Sequence, residues 1–153
     1  MKNYIVLFAV FITLSATAQV SPPTNTERMN NFTTDSAAIA AVLTNVYFKG
    51  IYEGDVTLLR SAYYENTLLF GDVSGKPYFK TLAQYLDGVA NRQSPKESGK
   101  PFHGNIIAIE VIGSIAMAKV NVKMYDFNYF ELLSFHELEG KWLIVNKMIH
   151  DAQ

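Results

Sequence analysis

The chain has 153 residues, of which 49% are hydrophobic and 18% charged, with a formal net charge of −1. This composition predicts one folded domain, because the apolar content suffices for a packed core and the charge is too low for a disordered chain. The chain contains no cysteine, which excludes disulfides, thiolate metal sites, iron–sulfur clusters and thiol nucleophiles. The balanced charge offers no basic surface for nucleic acid.

Residues 1–18 have the three parts of a secretory signal peptide. Lys2 makes the first part positive, residues 4–14 form an apolar run, and residues 15–18 are a small-residue cleavage site of the A-x-A type. The apolar run is shorter than the roughly 20 residues needed to cross a bilayer. We therefore predict cleavage near Ala18 and a periplasmic or secreted mature protein without a membrane span.

A polar segment follows over residues 19–35 and contains Pro22 and Pro23. Its few apolar side chains cannot offset the entropy lost on ordering, which predicts a flexible tether. The folded domain is then expected over residues 36–153.

The domain begins with apolar residues at spacings of three and four, which predict an amphipathic helix capped by Asp35 or Ser36. These residues are Ile39, Val42, Leu43, Val46, Tyr47, Gly50 and Ile51. Glycine is unfavourable inside a helix, so Gly50 indicates the close approach of another element. Gly54 is expected to end this helix and Asp55 to cap a short second one.

A hairpin and a third helix are predicted next. Residues 67–70 and 77–79 flank a glycine-containing turn, and Pro77 restricts the second arm to a sheet edge because it lacks an N–H. Thr81 is expected to cap the third helix. Residues 93–101 contain two prolines and a glycine, which predicts a loop.

Residues 103–149 have the pattern of four long antiparallel strands with turns at residues 113–114, 126–128 and 139–140. In residues 116–124 every second residue is apolar, as in a strand with one face in water. Helices followed by a large antiparallel sheet predict an α+β domain with the helices packed on one face of the sheet.

Residues 106–109 and 143–145 are apolar at every position, which predicts burial on both faces of the sheet. Since no helix remains to cover the outer face, a second copy of the chain would do so and give a homodimer through the sheet. The alternative is a partly exposed apolar face, which is common in proteins.

Two stretches carry a resemblance to a known family. Residues 47–55 read Tyr-Phe-Lys-Gly-Ile-Tyr-Glu-Gly-Asp, and residues 128–147 end in Gly-Lys-Trp-Leu-Ile-Val-Asn-Lys. Together with the element order over residues 36–150, they resemble the nuclear transport factor 2-like (NTF2-like) superfamily, also called SnoaL-like or ketosteroid-isomerase-like. The closing run looks most like the branch called putative lumazine-binding. The resemblance implies a cone of three N-terminal helices against a curved antiparallel sheet.

The resemblance also implies candidate acid–base residues. In ketosteroid isomerases a tyrosine of the first helix and a protonated acid polarise a carbonyl, while a second carboxylate moves a proton. Tyr47 matches that tyrosine, and Glu131 lies near the position of the protonated acid. The position of the base falls near Phe70, which carries no carboxylate. This departure counts against an isomerase.

Related dehydratases use paired histidine and aspartate, for which this chain offers His103, His136, His150, Asp126 and Asp151. Along a regular strand Glu131 and His136 point to opposite faces of the sheet. His103 therefore stays as the alternative to Glu131 as a proton carrier.

Nine tyrosines in so small a chain offer apolar rings with hydroxyl tips, which suit a pocket for a flat ligand. The residues expected to contact it are Tyr47, Tyr52, Tyr63, Phe70, Trp142 and Asn146. The histidines lack metal-site spacing and no nucleotide motif occurs, so no metal and no cofactor are predicted.

The main hypothesis is therefore an exported domain that binds a small apolar or aromatic molecule without turnover. The alternative is an isomerase or dehydratase, with Tyr47 as oxyanion donor and Glu131 or His103 as proton carrier. A third hypothesis is an interaction module whose cone is filled by its own side chains.

Overall fold

The computed structural model describes the backbone of residues 25–152 and side chains from residue 32 onward. The predicted signal peptide lies outside the described residues. The helical elements are α1 (Asn25–Val42), a π-helical segment (Leu43–Phe48), α2 (Lys49–Glu53), α3 (Val56–Arg60), α4 (Leu82–Ala90) and α5 (Pro95–Ser98). The strands are β1 (Tyr63–Val73), β2 (Lys76–Thr81), β3 (Phe102–Ile112), β4 (Ile115–Met124), β5 (Phe127–Leu138) and β6 (Lys141–Asp151). No helix among these is long and apolar enough to cross a membrane.

The first helix begins earlier than the sequence predicted. It starts at Asn25, inside the segment expected to be a tether. Residues 25–35 contain neither proline nor glycine, so no residue with a strong backbone preference against helix interrupts them. The prediction of a flexible tether is thus wrong for residues 25–35, and residues 19–24 lie outside the described part of the chain.

The corner between α2 and α3 confirms the role predicted for Gly50. A Cβ atom at Gly50 would lie 2.9 Å from Leu59 Cβ and 3.0 Å from the Leu59 backbone, so that only glycine lets the two helices approach this closely. Gly54 ends α2 with a φ of 69°, and the Asp55 carboxylate accepts a hydrogen bond of 2.8 Å from the Leu58 N–H. Both are the predicted stop and cap.

The elements between the corner and the meander differ from prediction in the length of the hairpin strands, which are longer than predicted, and at residues 95–98. Thr81 caps α4 in a capping box, and Pro77 lies on β2 at the edge of the sheet, both as expected. Residues 95–98, predicted as loop, instead form α5. Ser94 caps this turn by accepting from the Glu97 N–H, and Pro95 occupies its first position, where a missing N–H costs nothing.

The six strands form one sheet in the order β2-β1-β6-β5-β4-β3. Every neighbouring pair is antiparallel except β1 and β6, which are parallel. The predicted alternation on β4 is confirmed, because all five even-numbered residues from Ala116 to Met124 are buried. The inner face of the sheet packs against the helices and forms one hydrophobic core with them, which confirms the α+β class.

Two bulges shift which residues face the core. On β3 the pairing jumps between Ile106 and Ala108, which leaves Ile107 without a partner and 45% exposed. On β6 Ile144 and Asn146 pair with consecutive residues of β5, so Val145 is the extra residue. The apolar run over residues 106–109 therefore reflects a bulge on an edge strand. Ile107 and Ala108 are exposed in the single chain, and burial of this run by a second copy stays a prediction.

The close contact at Gly50 can be tested against a second helical glycine. In Gly50→Ala the gain in helix propensity is outweighed by overpacking against Leu59, and we expect the free energy of unfolding to fall by about 1–2 kcal/mol. Gly88 on α4 is the matched control, since its Cβ would meet only the Lys80 ammonium at 3.7 Å. Gly88→Ala is expected to raise stability by up to about 1 kcal/mol. Urea unfolding measures both changes in the free energy of unfolding, and changes of the same sign in the two variants would contradict the packing argument.

Candidate ligand-binding site

Three polar side chains meet in the core between the helices and the sheet. Tyr47 comes from the π-helical segment, Glu131 from β5 and Lys147 from β6. Their exposed fractions are 0%, 2% and 2%. Buried charges are found in proteins when they are paired, so this placement depends on the contacts among the three.

The three side chains form a closed ring of hydrogen bonds. The Tyr47 hydroxyl donates to Glu131 Oε2 at 2.5 Å, and Lys147 Nζ donates to the Tyr47 hydroxyl oxygen at 2.6 Å. Lys147 Nζ also lies 2.6 Å from Glu131 Oε1. We call this group the buried triad. Charge-assisted hydrogen bonds are about twice as strong as neutral ones, and each member has two partners within the ring.

Burial raises the pKa of Tyr47 well above 10.0, and the nearby Glu131 charge raises it further. Tyr47 therefore stays protonated at neutral pH and acts as the donor toward Glu131. Lys147 supplies the positive charge that balances the carboxylate, and its Nζ also lies 5.3 Å from the Tyr47 ring centroid and 5.1 Å from that of Tyr85. Such distances allow cation–π attraction.

Tyr63 and Tyr85 extend the polar core next to the triad. The ring centroid of Tyr63 lies 6.1 Å from those of both Tyr47 and Tyr85. The Tyr63 hydroxyl is buried and makes no hydrogen bond of standard geometry to a described residue. Burial raises the pKa of Tyr63 and of Tyr85 above 10.0. The three rings thus form a neutral aromatic cluster around the charged pair.

A cavity of about 150 Å³ adjoins the triad. Glu131 and Lys147 form part of its wall, and α4 and the following residues provide the other side. The polar and aromatic lining comprises Tyr78, Lys80, Tyr85, Arg92, Tyr129, Glu131 and Lys147, and the rest is mostly aliphatic, as at Ile51 and Val122. A concave site with apolar walls and a few convergent polar groups is the usual form of a ligand pocket.

Comparison with known proteins now places the chain. Residues 34–150 match the family described as "Putative lumazine-binding". The chain belongs to this family. No curated protein matches it.

Solved structures of NTF2-like proteins of unknown function share its fold. One from Methylobacillus flagellatus KT is 27% identical with a TM-score of 0.70, over 78% of this chain and 94% of that one. One from Shewanella baltica OS155 is 25% identical with a TM-score of 0.65, over 79% and 96%. One from Silicibacter pomeroyi DSS-3 is 20% identical with a TM-score of 0.69, over 78% and 97%. The predicted NTF2-like fold and family are therefore confirmed.

The structure brings two of the predicted catalytic residues together and separates the third. Tyr47 and Glu131 are in direct contact. His103 is exposed and alternates along β3 with Gly104, whose own position faces the Phe48 ring of the helical layer. His103 therefore lies on the outer face of the sheet. Its pairing with Tyr47 is wrong, because successive residues of a strand point to opposite faces.

The remaining histidines also lie away from the triad. On β5 His136 alternates with the buried residues Glu131 and Phe135 and so belongs to the outer face, as predicted. His150 Nδ1 lies within hydrogen-bond distance of Asp72 Oδ1, at 2.9 Å, on the exposed outer face. Among the described residues no cluster of three or more histidine, aspartate and glutamate side chains is arranged to hold a metal.

None of the six predicted ligand contacts lines the cavity, and Tyr47 reaches it only through its partners Glu131 and Lys147. Phe70 is on the outer face, packed against Phe79 with ring centroids 5.0 Å apart. Tyr52 is exposed and packs on Phe102 at 5.4 Å. The position of Phe70 follows from the backbone, because Phe70 alternates with buried Leu69 along β1. The short predicted strand did not show which of its residues face the core.

The other predicted contacts are buried or half-buried without lining the cavity. Trp142 is buried in the core, and Asn146 donates to the Leu68 carbonyl at 3.2 Å beside the β6 bulge. Tyr63 packs against the rings of Tyr47 and Tyr85 and does not reach the cavity. The cavity wall is formed instead by residues from β2, α4 and the ends of β4 to β6.

Lys147 was not among the residues predicted from the sequence, although it closes the run that carries the family resemblance. With a strict period of two, Lys147 would lie on the same face as Leu143 and Val145, opposite Trp142 and Ile144. The bulge at Val145 reverses this parity, so Lys147 turns inward with Ile149. The available signal was a lysine with apolar residues two positions away on either side, Val145 and Ile149.

The buried ion pair makes the stability depend on both charges together. Lys147→Met leaves the Glu131 carboxylate buried without its cation, and we expect the free energy of unfolding at neutral pH to fall by about 3–5 kcal/mol. The double variant Lys147→Met/Glu131→Gln is expected to lose less than the Lys147→Met single variant. Lys119→Met, at an exposed lysine of β4, should change stability by about 0.5 kcal/mol or less. Urea unfolding measures the free energy of unfolding of each variant. A double variant that loses more stability than Lys147→Met alone would contradict the coupling between the two charges.

The shifted tyrosines predict a loss of stability at alkaline pH. Above about pH 10 the unfolded chain releases the Tyr63 proton while the folded chain keeps it, because burial raises the folded-state pKa. The free energy of unfolding then falls by about 1.4 kcal/mol per pH unit for each such tyrosine. In Tyr63→Phe this slope should be smaller by that amount.

Urea unfolding between about pH 7 and about pH 11 measures the Tyr63 effect. An unchanged alkaline slope in Tyr63→Phe would contradict it.

Proposed function

We propose that this protein is an exported homodimer that binds a small, partly aromatic molecule in the cavity beside the buried triad and does not turn it over. The observation that carries the proposal is the cavity wall itself, in which Tyr85 and Tyr129 provide rings and Lys147 and Arg92 provide donors. The family's description as "Putative lumazine-binding" supports a small ligand with an aromatic ring.

The hydrogen bonds of the triad favour binding over turnover. The single O–H of Tyr47 is donated to Glu131, so it is not available to polarise a substrate carbonyl. Glu131 accepts from Tyr47 and from Lys147, as a carboxylate does, whereas an acid catalyst must carry a proton. Lys147 uses two of its three N–H donors in the ring, which leaves one for a ligand.

The size of the cavity limits the ligand. Sites for drug-sized molecules usually occupy about 300–1,000 Å³, whereas this cavity has about 150 Å³. A cavity of about that size holds a single benzene-sized ring. Much of the cone is therefore filled by its own side chains, and the proposed ligand places one ring inside.

The homodimer is supported by the outer face of the sheet. Large apolar side chains on neighbouring strands are exposed there in the single chain: Phe70, Met117, Phe130, Leu132 and Met148. The pairings Phe70 with Met148 and Met148 with Leu132 make them neighbours across three strands. Apolar patches of this kind mark association surfaces. A second copy would cover the patch by a two-fold contact.

Export rests on residues 1–18, whose positive start, apolar run and small-residue cleavage site have the order of a signal peptide. Cleavage near Ala18 would release the domain to the periplasm or the exterior.

A second candidate function is an isomerase or dehydratase that uses Tyr47 and Glu131. The observation in its favour is the 2.5 Å contact between them, with Glu131 in the cavity wall. A ligand oxygen that displaced Glu131 from the Tyr47 hydroxyl would place both groups at one reacting centre. This function requires the ring of hydrogen bonds to open on binding.

Native mass spectrometry of the protein from the envelope fraction of its own host tests these proposals together. We expect a dimer of chains that lack the leader, each with a small retained mass that is unchanged on incubation. A monomer would contradict the dimer, and a full-length chain in the cytoplasmic fraction would contradict export. Failure of every small aromatic compound tested to bind, with no retained mass, would contradict ligand binding.

The same sample separates binding from turnover. Incubation of the released compound with the wild type and with Glu131→Gln should leave its mass and chromatographic mobility unchanged. A loss or gain of water, or a new isomer, that depends on Glu131 would establish the second candidate instead.

A further inference from the structure

Arg92 is one of the residues that line the cavity. Arg92 follows α4 and its Nε and Nη2 atoms are buried, yet neither has a hydrogen-bond partner among the described residues. The Nε–H and the two N–H groups of Nη2 are three of the five donors of a guanidinium. Leaving buried charged donors unpaired is costly in free energy, and the fold gives no internal reason for it.

The two unpaired atoms form one edge of the guanidinium. Nε–H and one N–H of Nη2 point in the same direction and donate in parallel to two oxygens of a planar anion. The hydrogen bonds of the buried triad do not involve this edge of Arg92. Both nitrogens are buried in this structure, so the Arg92 side chain must turn for this edge to open to the cavity and receive a carboxylate.

The other charges around the cavity agree with an anionic ligand. Its lining contains Lys80, Arg92 and Lys147 against Glu131 alone, and Glu131 is already neutralised by Lys147. Asp151 is close enough to Tyr129 to raise its pKa, after the larger effect of burial. The carboxylate of Asp151 is however directed to backbone N–H groups, at 3.4 Å from Ser74 and 3.3 Å from Asn128.

The same cavity surrounds the Arg92 charge with aromatic rings. Burial raises the pKa of Tyr85 and of Tyr129, and in both cases the positive charge of Arg92 works against that rise. Arg92 thus lies within electrostatic range of both hydroxyls. The anion would sit at the Arg92 edge and an attached ring against the tyrosines.

We infer that the cavity binds a small aromatic carboxylate, with the carboxylate bound by the Nε and Nη2 edge of Arg92 and the ring beside Tyr85 and Tyr129. This inference rests on the proposed function and names the chemical class of its ligand. A cavity of about 150 Å³ accommodates one ring, so benzoate is the probe of the right size.

Calorimetric titration of the full mature protein with benzoate tests the inference against two other probes. Benzamide has the same shape without the charge, and inorganic phosphate has the charge without the ring. We expect benzoate to bind at least about tenfold more tightly than benzamide, since a bidentate pair with arginine is charge-assisted. Equal affinities for benzoate and benzamide would overturn the inference, as would tighter binding of phosphate than of benzoate.

Variants of Arg92 locate the anion. Arg92→Gln is expected to lower the affinity for benzoate at least about tenfold. Arg92→Lys should restore little of that affinity, because lysine keeps the charge but lacks the parallel donors. Arg60→Gln is the matched control, since it removes the same charge from an exposed position at the end of α3, and it should leave the affinity unchanged. Urea unfolding verifies that each variant is folded. Unchanged benzoate affinity in folded Arg92→Gln would overturn the inference.

The outcomes separate this inference from the proposed function. Binding of benzamide or other neutral rings with an affinity equal to that of benzoate overturns the anionic ligand and leaves small-molecule binding in place. Absence of binding by every charged and neutral probe, together with no retained mass in the native protein, overturns both.

Discussion

The arrangement of the core depends on the ion pair between Glu131 and Lys147 and on the Tyr47 hydroxyl that joins it. Removing two charges from water is costly, and a buried pair is tolerated only when hydrogen bonds satisfy both groups. Here the distances are 2.5 Å and 2.6 Å, and no member is more than 2% exposed. The helix that carries Tyr47 and the two strands that carry the charges must therefore keep a fixed distance and register.

Two irregularities of the backbone make this geometry possible. The π-helical segment Leu43–Phe48 contains Tyr47, and such segments are frequent at functional sites because the extra residue redirects side chains. The bulge at Val145 turns Lys147 into the core, and bulges likewise re-aim side chains. Both departures from regular structure thus serve the same buried contact.

The cavity wall differs from the buried triad because it carries a cationic side chain, Arg92, with buried donors that no described residue accepts from. Glu131 is paired with Lys147, whereas the buried edge of Arg92 has no partner among the described residues. The paired charges stabilise the arrangement of helix and sheet. Water or a bound ligand could satisfy the donors of this edge, and the ligand class proposed above therefore rests on Arg92 and not on the triad.

Local sequence determined the elements that depend on neighbouring residues. Gly54, Asp55 and Thr81 placed helix ends through their own backbone and hydrogen-bond preferences, and alternation along β4 placed its buried face. The inward position of Lys147, the outward position of His103 and the free edge of Arg92 depended on the tertiary structure. A bulge changes the face of every later residue in a strand, and an unpaired donor is recognised only when all surrounding elements are in place.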